Sequence, residues 1–485
     1  MKYPTNSKQV KGDAVMKYPT KMLINGSLVD GDRALEVKNP ATGKTFVTVA
    51  CGSERQVDEA LQAAKAAQPA WEALGWSKRR AMLLAVADAI EARADEAAEL
   101  VVQENGKPLA DAKGEVTAAL AWIRFNANYE LEPDVLRDTA EQKVVVSRKA
   151  LGVVLAITPW NFTILTPCYK LGPILITGNT LVLKPAATSP LCSLFVGEIA
   201  ASILPAGVLN IVTDRNDLGQ AMTGHALVDM VSFTGSTATG LKVVQNSPRR
   251  IKRVALELGD NGAAMVLRDV DVQKAADGVC YGAFHNTGQA CLAIKRVYVE
   301  EAIYDKFCDA VAQRVQKMVV GDPMRPGTTI GPLQNEVQFS KARHYLDVAR
   351  RDGRVIAGGA VIDGPGYFIQ PTVVRDIADG SELVDQEQFS PILPIIRVTD
   401  AEDALRRVNN TEYGLCGSVW SSDSHRAREL AARIQAGTVW INQHQNIGPD
   451  IPTSGAKQSG TGVEWGVYGL EEYTQISVVN EKLSA

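Results

Sequence analysis

Five short apolar segments recur between residues 152 and 259, and they constrain the fold of this chain more than any other feature. They read GVVLAIT (152–158), TLVLKP (180–185), VLNIV (208–212), DMVSFTG (229–235) and RVALELG (253–259). Each is bounded by Gly, Pro or polar residues and is too short for a helix. The stretches between them run to about 10–20 residues, enough for a helical crossover. Strands spaced in this way form βαβ units, so the segments predict a parallel sheet covered on both faces. A second series, AAMVL (263–267), RVYVEE (296–301), RVIAGG (354–359) and GTVWIN (437–442), predicts another α/β region. The two meet near Gly259.

Upstream, residues 53–126 read as helical, with Ala-rich stretches carrying apolar residues at three- and four-residue spacing. QKVVVSRKALGVV (142–154) switches to strands, and YTQISVVN (473–480) alternates like a terminal strand. Such a strand could pair with an exposed edge elsewhere, including one on a partner subunit.

At 485 residues the chain is too long for one core, and two or three domains are expected. A net charge of −4 gives no reason to expect nucleic acid or an anionic membrane as partner. The seven cysteines are odd in number and lack C-x-x-C spacing, which argues against a disulfide framework or zinc site and fits a reducing cytoplasm. No apolar h-region or run of about 18 apolar residues occurs, so neither a secretory signal nor a membrane span is expected. MKYPT occurs twice, at 1–5 and 16–20, which reads as a start-site duplication with Met16 the natural beginning. The first fifteen residues are expected to carry no function, and 1–20 to form a disordered extension.

Three motifs hold reactive residues. FHNTGQACLAIKR (284–296) presents Cys291 in a Gly-rich approach, although a cysteine taken alone is more often a small buried hydrophobe. LELGDNGA (256–263) closes an apolar strand on Glu257, a carboxylate awkward in a core unless it is paired or faces a cleft. ITPWNFTI (157–164) sets Asn161 in a loop after a strand, where its amide either donates to a developing oxyanion or caps the turn.

In combination these motifs resemble the aldehyde dehydrogenase superfamily, from about residue 22 to 479. LKPA (183–186), PAGVLNIV (205–212), SFTGSTATG (232–240), GQAC (288–291), EQFSP (387–391), SGAKQSGTG (454–462) and GLEEYT (469–474) extend the match in order. The resemblance implies an α/β fold: a Rossmann-like cofactor domain (21–130 and 151–258) and an α/β catalytic domain (259–448). A segment 449–471 returns to the cofactor domain. A small β oligomerisation extension (131–150 and 472–485) makes a homodimer or homotetramer. It further implies NAD or NADP as cofactor and a small-molecule aldehyde as substrate.

On this resemblance the Cys291 thiolate attacks the aldehyde to give a thiohemiacetal. Asn161 and the Cys291 N–H hold the oxyanion, at about 3 kcal/mol per donor. Hydride leaves to the nicotinamide, and Glu257 activates the water that hydrolyses the thioester. Lys170 and Glu464 align with a proton relay behind Glu257, or form an ordinary buried ion pair. Lys184 is expected on the adenosine ribose, and Gly235 and Ser236 at a helix start on the pyrophosphate. Gly207, Thr239 and Leu258 are expected on the cofactor too. Ile157, Thr158 and Trp160 line its path, Glu387 binds the nicotinamide ribose and Phe389 lies against the ring. Phe162, Thr166, Tyr169, Ala290, Leu292 and Thr453 are expected to shape the substrate pocket. No metal is implied; the five histidines are scattered, and His285 is expected to be structural.

The sequence departs from the family pattern in three places. Ala187 stands where many NAD-specific relatives carry a Glu, which removes a barrier to NADP. Asp260-Asn261 replaces Gly-Lys, altering substrate preference at the site's mouth or capping a turn. Thr453 replaces an aromatic and is expected to widen and polarise the funnel, favouring a fairly large or aromatic aldehyde. Two other readings compete: a CoA-acylating enzyme, against which Glu257 argues, and a non-catalytic member, against which intact Cys291, Glu257 and Asn161 argue.

Overall fold

The computed structural model describes residues 18–246 and 251–483. The five segments form parallel strands Val153–Ile157, Thr180–Lys184, Leu209–Ile211, Met230–Thr234 and Arg253–Glu257. Every residue of Val153–Ile157 and Thr180–Lys184 is buried, as expected of strands covered on both faces. From Val153–Ile157 the strands step outward through Thr180–Lys184 and Leu209–Ile211. The chain then crosses back to put Met230–Thr234 and Arg253–Glu257 on the other side. That reversal opens a crevice at the carboxyl ends of the central strands, where open α/β sheets bind ligands. An N-terminal hairpin, Met22–Ile24 with Ser27–Val29, and the short strand Gly460–Thr461 complete the two edges.

The second sheet has seven strands, ordered Arg354–Ala357, Thr372–Arg375, Ile392–Val398, Arg296–Glu300, Ala263–Val266, Cys416–Trp420 and Thr438–Ile441. The expected members are present, and three interior strands join them that were not read from the sequence. Ile392–Val398 contains Pro394, which argues against a central strand. Pairing with Val374 on one side and Val297–Glu300 on the other holds it there all the same. Cys416–Trp420 reads CGSVW, too polar and Gly-containing to stand out alone, yet it is buried along its whole length.

The helical stretch resolves into Glu54–Ala73, Trp76–Glu91, Ala94–Asn105 and Leu109–Asn128. Ser53 caps the first through Gln56 N–H, and Gly106 ends the third in the left-handed region at φ 87°. The terminal strand Thr474–Lys482 pairs within its own chain, antiparallel to Gln142–Ala150 across nine residues, and Asp134–Asp138 adds a third strand. Residues 1–15 lie outside the described residues. The expected disordered extension is corrected at 18–20: Tyr18 packs edge-on against Phe46 at 5.3 Å and bonds Gln103, and the Thr20 carbonyl accepts from Ala50.

Candidate active site

Cys291 lies in the loop between helix Val272–Phe284 and strand Arg296–Glu300. The backbone turns sharply there, with Asn286, Thr287 and Gly288 all left-handed at φ 51°, 58° and 71°. Only glycine fits at 288, because a Cβ would lie 2.6 Å from the Ser390 carbonyl oxygen. The cost of the two non-glycine residues is offset by hydrogen bonds. Asn286 Nδ2 donates to the carbonyls of Asn161 (2.9 Å) and Gln289 (3.1 Å), and Lys295 Nζ donates to that of Gly288 (2.7 Å). This turn sets Cys291, half-buried, in the wall of a cavity of about 500 Å³.

Asn161 reaches the same wall from the loop after the central strand Val153–Ile157. Its Nδ2 donates to the Gln289 carbonyl (3.0 Å), which fixes the amide beside the cysteine loop and leaves its second N–H for another acceptor.

Glu257 ends its strand between Thr234 and Gly460. It is buried, and its Oε1 has no hydrogen-bond partner among the described residues. Burial, then the nearby Glu464 carboxylate, push its pKa up to about 8 against the opposing Lys170 ammonium. The Cys291 thiol is pushed up to about 12, first by burial and then by Glu257 and Glu387. At neutral pH the pair is therefore a thiol beside a carboxyl close to its own titration point. Lys170 and Glu464 form a fully buried ion pair at 2.6 Å. Ser232 Oγ accepts from Lys170 at 2.7 Å and lies 2.9 Å from the Tyr473 hydroxyl.

Across the cavity, Trp160 meets Phe389 edge-on at 5.5 Å, and Lys295 Nζ sits 4.7 Å from the Phe389 ring. Glu387 Oε1 accepts from Asp260 N–H at 3.0 Å. Ser236 caps helix Thr237–Gln245 by accepting from Thr239 N–H (3.3 Å), and the exposed first turn offers N–H groups to an anion, while Gly235 donates its own N–H to the Glu257 carbonyl (3.0 Å). Gly240 brings that helix down on Leu258, whose Cδ2 would lie 2.5 Å from an added Cβ. Lys184, buried at the end of its strand, lies 2.8 Å from Asp214 Oδ1.

The sequence model of the aldehyde dehydrogenase family matches residues 28–479. The chain belongs to the aldehyde dehydrogenase family. It is 36% identical over 464 residues to Escherichia coli (strain K12) succinate-semialdehyde dehydrogenase (NADP+), covering 94% of this chain and 96% of that one. It is 37% identical over 483 residues to Pseudomonas fluorescens phenylacetaldehyde dehydrogenase, covering 95% of each. The solved structure of PnpE from Pseudomonas sp. WBC-3 matches with a TM-score of 0.93 at 36% identity, over 96% of this chain and 98% of that one. PnpE in complex with nicotinamide adenine dinucleotide matches at 0.94 and 35%, with the same coverage. The dehydrogenase oxidises an aldehyde to the carboxylic acid and reduces NAD or NADP.

Of the residues expected from its sequence, Trp160, Asn161, Phe162, Thr166, Tyr169, Gly235, Ser236, Leu258, Ala290, Cys291, Leu292, Glu387 and Phe389 line this one cavity. Ile157 and Thr158 are buried at the carboxyl end of the central strand. Two expectations are corrected. Gly207 lies at the amino end of strand Leu209–Ile211, at the opposite edge from the crevice. Its φ of +81° and an added Cβ 2.5 Å from the Ala63 carbonyl oxygen mark a packing glycine. Thr453 does not line the cavity; it is buried in a two-way backbone pairing with Glu464, and Trp465 of the same segment lines it instead.

Asp260 is also displaced from the mouth. It is buried, and its carboxylate accepts from the N–H groups of Leu415 (3.0 Å) and Cys416 (3.1 Å), tying the interdomain turn to the second sheet. Sequence reasoning missed Lys107, Ala110, Asp111, Gly114, Tyr281, Gln445, Ile447 and Trp465, all in the cavity wall. Ala110, Gly114 and Ala118 recur every fourth residue, a small-residue helical face visible in the sequence. Nothing in the sequence said which neighbour that face would meet. Among the described residues no His, Cys, Asp and Glu cluster could hold a metal, and no helix is long and apolar enough to cross a membrane.

Proposed function

We propose that Cys291 is the nucleophile, Asn161 an oxyanion donor and Glu257 the general base of a hydrolytic, CoA-independent aldehyde oxidation. One observation carries this reading: Cys291 and Asn161 share a cavity wall, with a buried, proton-poised Glu257 near enough to raise the thiol. The thiol gives its proton to Glu257 as sulfur attacks the aldehyde carbon. The alkoxide is then held by Asn161 Nδ2 and the Cys291 N–H. A nicotinamide dinucleotide, held by Glu387 and Phe389, would supply the hydride acceptor, and collapse of the alkoxide would leave a thioester on Cys291. Glu257 must lose its proton before it can take one from water, and Lys170, Glu464 and Ser232 offer the route. Hydroxide equivalent adds to the thioester, and the thiol leaves with the acid released.

Incubating the enzyme with aldehyde and NAD should yield one carboxylic acid per NADH, at a rate indifferent to added CoA. A CoA-dependent thioester product would defeat the reading. Asn161→Ala is expected to lower kcat by about 10²–10³-fold while KM moves little; a near-normal kcat would remove the donor role.

Lys184 is assigned to the adenosine ribose, with Glu387 and Phe389 at the nicotinamide end and Gly235, Ser236, Thr239 and Leu258 between. Asp214 sets a carboxylate on the lysine that would otherwise attract a 2′-phosphate, and so compensates for Ala187. NAD is then the preferred acceptor. Fluorescence titration should give a Kd for NADP at least about ten-fold above that for NAD, and Asp214→Gly should close the gap. Equal affinities in the parent enzyme would contradict this.

The segments 131–150 and 472–485 are assigned to subunit assembly as a homodimer or homotetramer. Exposed Val135, Leu136, Ile476, Val478 and Val479 on the three-stranded sheet support it. Seven free cysteines support a reducing, cytoplasmic setting.

A further inference from the structure

The cavity wall holds two ring clusters. Trp160 with Phe389 marks the dinucleotide side. The other joins Phe162 to His285 (6.3 Å between ring centroids) and His285 to Tyr281, stacked at 5.5 Å. Tyr169 and Trp465 extend the aromatic wall, meeting edge-on at 5.7 Å. Helix Leu109–Asn128 contributes Ala110, Asp111, Gly114 and Ala118 to the same cavity. No atom lies within 4 Å of where a Cβ on Gly114 would project. This side is a slot between flat apolar faces and a helix stripped of bulk.

On this side the basic groups are already paired or neutral. Lys107 Nζ pairs with buried Glu115 and sits 4.0 Å from the Phe162 ring centroid. The second Glu115 oxygen accepts from the N–H groups of Ile164 and Leu165. His285 bonds Gln445 Oε1 (3.2 Å), and burial, then Lys107, hold it below the usual imidazole range, hence neutral. Gln445 Nε2 is spent on the carbonyls of Gly282 (3.0 Å) and Leu292 (3.3 Å). Lys341, on the dinucleotide side, donates to the Glu387 carbonyl (2.8 Å). Lys341 keeps its charge there, because a carbonyl is neutral; on the slot side, Asp111 is in no ion pair among the described residues.

We propose that this slot selects uncharged aryl aldehydes, and that Asp111 and Gly114 determine the selection. A ring entering between Phe162, Tyr281 and Trp465 gains stacked and edge contacts. An aldehyde with a distal carboxylate would instead set its charge among apolar faces, with Lys107 already paired on this side and Asp111 to repel it. The inference rests on Cys291 being the point of attack, since that fixes which end of the substrate lies in the slot.

The test compares kcat/KM of the NAD-dependent reaction for benzaldehyde and phenylacetaldehyde with that for succinate semialdehyde. The aryl substrates are expected to lead by about 100-fold or more. Asp111→Arg should raise kcat/KM for succinate semialdehyde at least ten-fold while the aryl values fall. Gly114→Phe should raise KM for the aryl substrates more than for propanal. Semialdehyde turnover equal to or above the aryl rate would overturn the slot assignment while leaving the Cys291 reading intact. Turnover of no aldehyde at all would overturn both.

Discussion

Cys291→Ala is expected to lower aldehyde-dependent NADH formation by at least about 10⁴-fold, with NAD binding by fluorescence titration unchanged within two-fold. The size follows from what the thiol does. An aldehyde holds its hydrogen poorly placed for transfer, whereas a tetrahedral thiohemiacetal carries a full alkoxide whose collapse drives the hydride out. Neither of two other groups in the wall replaces sulfur: Thr166 is a buried hydroxyl, and Lys107 is consumed by its ion pair. The fold should tolerate the change, because the turn is held by the amides of Asn286, Gln289 and Asn161 and by Lys295, none of which bonds the sulfur. Retention of even a hundredth of the parent rate by the alanine variant would exclude Cys291 as nucleophile.

Glu257→Gln is expected to slow steady-state turnover by about 10²–10⁴-fold and to leave a burst of NADH close to one per active site. Glutamine keeps the shape of the buried side chain but cannot take a proton. The acyl-enzyme should therefore form with help from other bases and then stall, and hydroxylamine should release it. The parent enzyme should show a matching pH profile. With the carboxyl at about 8, only about a tenth of it is ionised at pH 7. Raising the pH through 8 deprotonates Glu257 and supplies base, so kcat should climb across that interval and level off above it. The glutamine variant should lose that limb. A parent profile flat from pH 6.5 to 9, or a variant that keeps the climb, would assign the base elsewhere.

The proton-poised state of Glu257 could not have been read from LELG. The sequence locates a carboxylate at a strand end, where a ligand site is plausible, but the rise to about 8 needs burial and a neighbour. That neighbour, Glu464, is more than two hundred positions away, and the Lys170 that opposes it sits on helix Leu165–Ile176. Asp260 shows the converse. Its residue type and position suggested either a charge at the site's mouth or a turn cap, and the fold spent it on two backbone N–H groups at the start of a strand that the sequence did not reveal.

What the sequence determined by itself was local and periodic. Short, largely apolar runs of five to seven residues between helix-length gaps pattern as strands covered on both faces, so the parallel sheet and its crevice followed. The Cys291, Glu257 and Asn161 motifs could be placed at strand ends and turns, but each taken alone read equally as a structural residue, and only their ordered combination, by resemblance, pointed to a site. Tertiary structure decided whatever depends on which surfaces meet. It removed Gly207 from the crevice to its far edge, and it buried Thr453 and brought Trp465 to the wall in its place. It paired Lys184 with Asp214, and it brought the small-residue face of Leu109–Asn128 into one cavity with aromatic residues from three distant segments. Periodicity reports how a segment lies on its own neighbours; burial, charge compensation and cavity shape belong to contacts between segments, and only folding creates those.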